Sequence, residues 1–304
     1  MATGFFTHNR CLSEDEGNSS LDRPERIEQI QTLMQASALA RRVRFFESSV
    51  VSESDLLLVH TPEYLKKLKD LAQKNAPLTE ETIVTDELLV GAMQSAGAAV
   101  SAVRSVLDGS LKNAFVCVRP PGHHAGRNFG GGFCLINSAA CAVRTALCRY
   151  RCARVALIDV DAHRADGSED IFSGDPSVLL FDSYQASAYP YGLAPCTAPN
   201  VFNMPLEDGA LGRDVVARME KDWLPRLYDF APDLLVLSFG FDTHTEDTQT
   251  LLKFSEFEYA YLTRLLMRVA HDVCSDRLVS ILEGGYNKKA LARSVLSHVG
   301  TLVQ

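Results

Sequence analysis

Three short runs place reactive side chains at close spacing. In "IDVDAHRAD", Asp159, Asp161 and His163 alternate along the chain. Alternate residues of an extended strand share a face, so this run offers oxygen and nitrogen donors to one zinc ion at ~2.0–2.2 Å each. Asp242, in "SFGFDTHTED", is the best-placed acid to complete the set. Three protein ligands with one open position are what a catalytic zinc requires. Taken alone, the same acids equally read as caps for the helix that "RADGSEDIF" begins.

The second run, "RPPGHHAG", sets His123 beside His124 in a loop stiffened by two prolines. A histidine titrating near ~6.5 is matched to general-base work at neutral pH, and Asp159 and Asp166 are acids available to orient the two rings. A surface or structurally bonded histidine pair would look the same. The third run, "LEGGYN", presents Tyr286 after two glycines. A phenol there can hydrogen-bond a developing oxyanion, or simply pack its ring on a sheet.

These runs need elements to hold them. Short β-branched stretches at 115–118, 154–160, 178–181, 234–239 and 278–282 are expected strands. Helices are expected near 88–107, 137–149, 213–228, 256–274 and 288–302, and the first ~75 residues read as mainly helical. Strands alternating with longer helices predict an α/β fold with a central parallel β-sheet flanked by helices. No linker or repeat divides the chain, so 1–304 is read as a single domain. Open parallel sheets bind ligands beyond the carboxyl ends of their strands. His123/His124, Asp161/His163, Asp242 and Tyr286 each follow such a strand, which points to one shared site.

Composition narrows the partners. With 30 Lys+Arg against 38 Asp+Glu the net charge is −8, unsuited to gripping nucleic acid phosphates but compatible with cationic substrates. No apolar run reaches the ~18 residues of a membrane span, and "MATGFFTHNRC" lacks the pattern of an export signal. The expected location is cytoplasmic, or nuclear in a eukaryotic cell, and not secreted. The eight cysteines include no Cys-x-x-Cys and read as reduced, buried thiols rather than metal ligands. The oligomeric state has no sequence signature.

Taken in order, the motifs resemble the zinc-dependent histone deacetylase family of the arginase/deacetylase superfamily, with the bacterial acetylpolyamine amidohydrolases as close relatives. The resemblance covers nearly the whole chain: "DRPERI", "LLVHTPEYL", "ETIVTDELLVGAMQSAGAA", "RPPGHHA", "GGGFCLINSAA", "IDVDAH", "SFGFDTHTED" and "LEGGYN". "GFCLINSAA" and "EGGYN" are most similar to the class II branch, whereas "DAH" and "FDSYQASAYP" are similar to class IV. The resemblance implies Asp161, His163 and Asp242 as zinc ligands, His124 as general base and acid, and His123 as its electrostatic partner. It implies Asp159 and Asp166 as the orienting acids and Tyr286 as the oxyanion donor. Phe133 and Tyr189 would wall a tunnel floored by Gly132, and a structural potassium ion would sit below the zinc, held largely by carbonyls around Asp159, Asp161 and His163. The implied activity is hydrolysis of N6-acetyl-lysine in histones or other proteins, releasing acetate. An acetylpolyamine or a longer acyl-lysine is the alternative substrate.

The chain departs from the family pattern in places. Arg164 stands where a second histidine or glutamine is usual, Asp182 where serine is usual, and Gln249 where an apolar residue closes the tunnel rim. Ser20 and Leu21 replace a histidine and proline of the first loop. A binuclear manganese ureohydrolase, related in fold, is disfavoured because Ala165 replaces an acid its metal pair needs. A slow acyl-lysine-binding protein is the non-enzymatic alternative, and the intact Tyr286 weighs against it.

Overall fold

The computed structural model describes residues 2–13 and 21–304; Ser20, one of the departures noted above, lies outside them. Eight parallel strands form the central sheet: β1 (Ala2–Thr7), β2 (Val43–Glu47), β5 (Leu111–Val116), β6 (Val155–Val160), β7 (Val178–Gln185), β8 (Val201–Leu206), β9 (Leu234–Phe239) and β10 (Leu278–Leu282). Their order across the sheet is β2-β1-β5-β10-β9-β6-β7-β8. A separate antiparallel hairpin pairs β3 (Ala76–Thr79) with β4 (Thr82–Val84). Every residue of β6, β7, β9 and β10 is buried, as expected for strands covered on both faces.

Two helical layers supply that cover. One contains α3 (Pro62–Ala72), α4 (Asp86–Leu107) and α5 (Ser138–Arg149), with α4 packed on β1, β5 and β10. The other contains α1 (Glu25–Ala36), α7 (Gly212–Asp222), α8 (Leu224–Phe230), α9 (Glu256–Val273) and α10 (Lys288–Leu302). Two short helices, α2 (Glu53–Leu56) and α6 (Asp166–Phe172), complete the set. Asn137 opens α5 by accepting from the Ala140 amide at 2.8 Å, and Asn287 opens α10 by accepting from Ala290 at 3.1 Å. Each cap satisfies an otherwise unpaired helix amide. Both sit at the end of a site motif, "GFCLIN" and "EGGYN", so the caps mark where reactive loop becomes rigid helix.

The α/β reading holds, with local differences that have physical causes. The helix expected over 213–228 is two, α7 and α8, meeting at Trp223; Pro225 has no amide to donate and its ring clashes with the preceding turn. β8 was not anticipated because it contains Pro205, which a sheet tolerates only at its edge, where β8 lies. The mainly helical reading of the first ~75 residues missed β1 and β2. β2 leaves Phe45 42% exposed, so its run lacks the apolar continuity of a central strand. The expected strand 115–118 is displaced to Leu111–Val116. Among the described residues no helix is long and apolar enough to cross a membrane, and all eight cysteines are free thiols.

His298 lies in the core, stacked on Phe239 at 4.8 Å between ring centroids. Its Nδ1 is 2.6 Å from Thr263 Oγ1 and its Nε2 2.9 Å from Ser280 Oγ. Burial lowers its pKa to about 3, and burial likewise lowers His8 and His60 to about 4. Below the unfolded value of 6.5 the unfolded chain takes up protons that the folded chain refuses, so stability falls with falling pH by roughly 1.4 kcal/mol per unit for each such group. Urea unfolding of the wild type and of His298→Gln should therefore diverge between pH 7 and pH 5, the variant being spared the loss that His298 contributes as pH falls. Parallel pH profiles for the two proteins would refute this.

Candidate metal centre and catalytic pocket

The carboxyl ends of four adjacent central strands, β5, β10, β9 and β6, bring the sequence motifs together. β5 leads to His123 and His124, β6 to Asp161 and His163, β9 to Asp242, and β10 to Glu283 and Tyr286. Strand alternation accounts for this less fully than the sequence suggests. β6 stops at Val160, and a bend, not the pleat, brings Asp161 and His163 together: the His163 amide donates to Asp161 Oδ1 at 2.8 Å. Helix capping does not explain the acids either. α6 begins after Ala165 without a side-chain cap, and the Asp166 carboxylate faces His124 instead.

His163 Nδ1 lies 3.0 Å from Asp161 Oδ1 and 3.1 Å from Asp242 Oδ2, and among the described residues these three form the group able to hold a metal ion. Backbone amides secure the outer oxygens. Ala162 donates to Asp242 Oδ1 at 2.9 Å and Gly284 to Asp161 Oδ2 at 3.0 Å. Residue 284 must be glycine, because a Cβ there would collide with Asp242 Oδ2. His163 Nδ1 has one proton to share between the two acids and its hydrogen bond goes to Asp161 Oδ1, so buried Asp242 Oδ2, although 3.1 Å from that nitrogen, accepts no hydrogen bond of its own among the described residues. An inward-facing orphan oxygen beside a second carboxylate and an imidazole nitrogen fits a divalent cation. Burial and then Asp161 raise Asp242 to about 6. Burial would lower His163, but its contacts with both carboxylates outweigh that and bring it to about 10.

The histidine pair sits against this group. His124 Nδ1 is 2.6 Å from Asp166 Oδ1, and His123 Nδ1 is 3.3 Å from Asp159 Oδ1. A carboxylate only accepts, so each ring carries its proton on Nδ1, and Nε2 of His124 is left as a lone-pair base. The two imidazoles differ in electrostatics. Burial, reinforced by neighbouring His123, lowers His124 to about 4. Burial would lower His123 too, but the Asp159 and Asp161 carboxylates hold it well above the usual range. One ring is thus kept neutral beside one kept charged.

Above them opens a cavity of about 610 Å³. Phe133, Tyr189, Gly132, His124, His163, Tyr286 and Gln249 all line it. Tyr189 meets His124 edge-on at 4.8 Å, and Phe133 meets Tyr286 at 6.2 Å. Gly132 has φ +52°, and a Cβ there would collide with the His124 ring, so glycine is required on both counts. Burial raises Tyr286 well above the usual phenol range, Arg26 opposes this, and Asp242 and Asp161 add to it. The phenol therefore stays a donor. Gln249 is exposed at the rim, and Arg164 directs its guanidinium to Glu169 rather than to the metal group.

Two contributors stand in the quoted motifs "LEGGYN" and "DRPERI" but take their roles only from the structure. Glu283 is fully buried and accepts from the Gly122 amide at 2.7 Å and from Ser238 Oγ at 2.8 Å, which pins the histidine loop to β9. Arg26 is also fully buried, ion-paired to Asp22, donating to Gly285 O at 2.6 Å, and 5.0 Å from the Tyr286 ring centroid. Its distance in sequence from the other motifs gave no signal beyond the quoted "DRPERI".

The histone deacetylase domain matches residues 20–302. The chain belongs to the histone deacetylase family. It is 31% identical over 295 residues to a probable deacetylase of Archaeoglobus fulgidus, covering 94% of this chain and 82% of that one. It is 31% identical over 331 residues to the polyamine deacetylase HDAC10 of Mus musculus, where all of this chain corresponds to 48% of the mouse protein. The crystal structure of the HDA15 HD domain has the same fold, with a TM-score of 0.91 at 27% identity over 99% of this chain and 88% of that one. The fold is accordingly that of a family of zinc-dependent amide hydrolases. Among the described residues there is one metal-ligating group, and Ala165 contributes no second set of donors, as the binuclear alternative would need.

His163 offers a metal only its neutral form. At pH 8 the free site holds it protonated, since its pKa is about 10. Titrating zinc into weakly buffered protein at pH 8 should thus release at least about one proton per ion bound, from His163, beyond any from ionisation of a zinc-bound water. Asp242→Asn should lose stoichiometric zinc on dialysis. Full retention of zinc by that variant would refute the ligand assignment.

Proposed function

We propose that this chain is a zinc-dependent deacetylase that hydrolyses the amide of N6-acetyl-lysine in proteins or peptides and releases acetate. The observation that carries the reading is convergence on one cavity: the His124–Asp166 pair, the Asp161–His163–Asp242 group and the Tyr286 phenol. A zinc ion held by that group would polarise the amide carbonyl and lower the pKa of a water from ~15.7 toward ~7.

The remaining work belongs to the protein's own side chains. Asp166 fixes the His124 ring so that Nε2 faces the cavity and takes a proton from the attacking water. His123, kept cationic by Asp159, stabilises negative charge as it develops. The Tyr286 hydroxyl, for which no partner is found among the described residues, donates to the oxygen of the former carbonyl. His124 then returns its proton to the departing amine. Phe133 and Tyr189 enclose the acylated side chain and limit access by water. A structural potassium ion belongs to the same reading, supported by Asp182 Oδ1, a buried oxygen beside Asp159 with no hydrogen-bond partner among the described residues.

A second substrate class has its own support. Glu80, Glu81 and Gln249 line the mouth, and among the described residues neither lysine nor arginine lines the cavity, a charge pattern suited to acetylpolyamines. The family includes a mouse protein named for polyamine deacetylation. Longer acyl-lysines remain an alternative at the polar Gln249 rim. Tyr286→Phe should lower kcat by about 10²–10³ with little change in KM, and removal of zinc should abolish turnover. Undiminished activity in either case would refute the proposal. Side-by-side turnover of an acetyl-lysine peptide and acetylspermidine decides between the substrate classes.

A further inference from the structure

Arg164 follows a metal-group histidine, yet its side chain is engaged elsewhere. Only 9% exposed, it donates from Nε and Nη2 to Glu169 Oε2 at 3.0 and 2.5 Å, and from Nη1 to Leu193 O at 2.9 Å. Glu169 lies on α6, the helix that carries Asp166 and so orients His124. Leu193 lies in the 186–200 connection between β7 and β8, the segment that sets Tyr189 against the His124 ring. One guanidinium therefore joins the helix behind the general base to the loop that walls the tunnel.

That loop has little else to hold it. Among the described residues, no hydrogen bond between backbone groups involves positions 189–197. Arg164 holds it at Leu193 O, whereas its far end is held at Cys196, whose O accepts from Asn203 Nδ2 at 3.2 Å and whose Sγ lies 3.3 Å from Ser173 Oγ. Tyr191 is 75% and Leu193 55% exposed, so burial does not fix the middle of the loop. Nor does a buried Arg–Glu pair contribute much net stability, because desolvating both charges offsets most of their attraction. What the pair supplies is a direction. The planar fork, locked by Glu169, aims Nη1 at one carbonyl, which a lysine ammonium would not do.

We propose that Arg164 is a positioning residue for the substrate tunnel: by tethering Leu193 it holds Tyr189 in place against His124 and sets how tightly the acyl chain is enclosed. It touches no reacting atom. The part concerning substrate rests on the deacetylase reading above, and the tether itself does not.

Two variants test it. Arg164→Lys keeps a cation beside Glu169 but loses the fork. Arg164→Gln combined with Glu169→Gln removes both charges together, so that none is left buried alone. Limited chymotrypsin digestion, with cleavage at Tyr191 and Leu193 mapped by mass spectrometry, should run roughly tenfold faster in both, the loss expected for a hydrogen bond from a charged donor. For an acetyl-lysine peptide, KM should rise about five- to tenfold while kcat stays within about threefold. Wild-type cleavage rates in both variants would overturn the tether. Faster cleavage with unchanged KM would overturn its role in the tunnel. A fall in kcat at unchanged KM would place the effect on Asp166 instead and also overturn it, as would failure of both variants to fold. Should the wild-type chain turn over no acetylated substrate, the deacetylase reading fails, and the cleavage rates still decide the tether.

Discussion

Two carboxylates buried side by side are the constraint around which this molecule is arranged. Asp161 and Asp242 are both fully buried, and like charges so close would repel unless answered by cations or donors. The answer is assembled from the ends of several strands. Ala162 and Gly284 donate backbone amides, His163 lies between the two acids, and cationic His123 lies 3.8 Å from Asp161. One oxygen, Asp242 Oδ2, accepts no hydrogen bond among the described residues, a deficit that a divalent cation would answer. The chemistry follows from this deficit, because a site built to attract a cation also polarises what that cation touches.

The parallel sheet makes such a concentration of charge possible. Its central strands are buried along their whole length and mostly apolar, so the polar residues concentrate at and just beyond their carboxyl ends. Buried acids then secure the loops. Glu283 ties the histidine loop to β9 through Ser238, and burial followed by the nearby Asp159 raises its pKa to about 7, although His123 opposes the rise. Asp182 sits opposite Asp159 in the β6–β7 register and accepts from the Ala165 amide. Tyr286 is framed by Arg26 below and Phe133 across the cavity. The reacting groups are therefore held by partners on other elements, which is the support that precise placement requires.

Much of this was legible in the chain itself. The buried strands have near-continuous apolar runs, and the residues that follow them meet at one site: His124, His163 and Tyr286 line the cavity, with His123, Asp161 and Asp242 packed against them. Gly132 and Phe133 also fall on its wall, and Gly132 has a positive φ. The edges of the sheet were harder to read, because an edge strand is not required to be apolar on both faces, as Phe45 and Pro205 show. The roles of Arg26 and Glu283 were illegible for a related reason: what a buried ion or acid does is recognisable only once its partners are known.

The sequence by itself determined the kinds of donor, their order and the strand ends on which they sit, since residue type and periodicity are local properties. Only the tertiary structure decided how they combine. It divided the four acids between metal group and histidines, kept His124 neutral beside a charged His123, and turned Arg164 away from the metal group toward Glu169 and Leu193. Those outcomes depend on distances between residues remote in the chain and on how completely water is excluded from them. Neither quantity exists until the sheet has closed over the site.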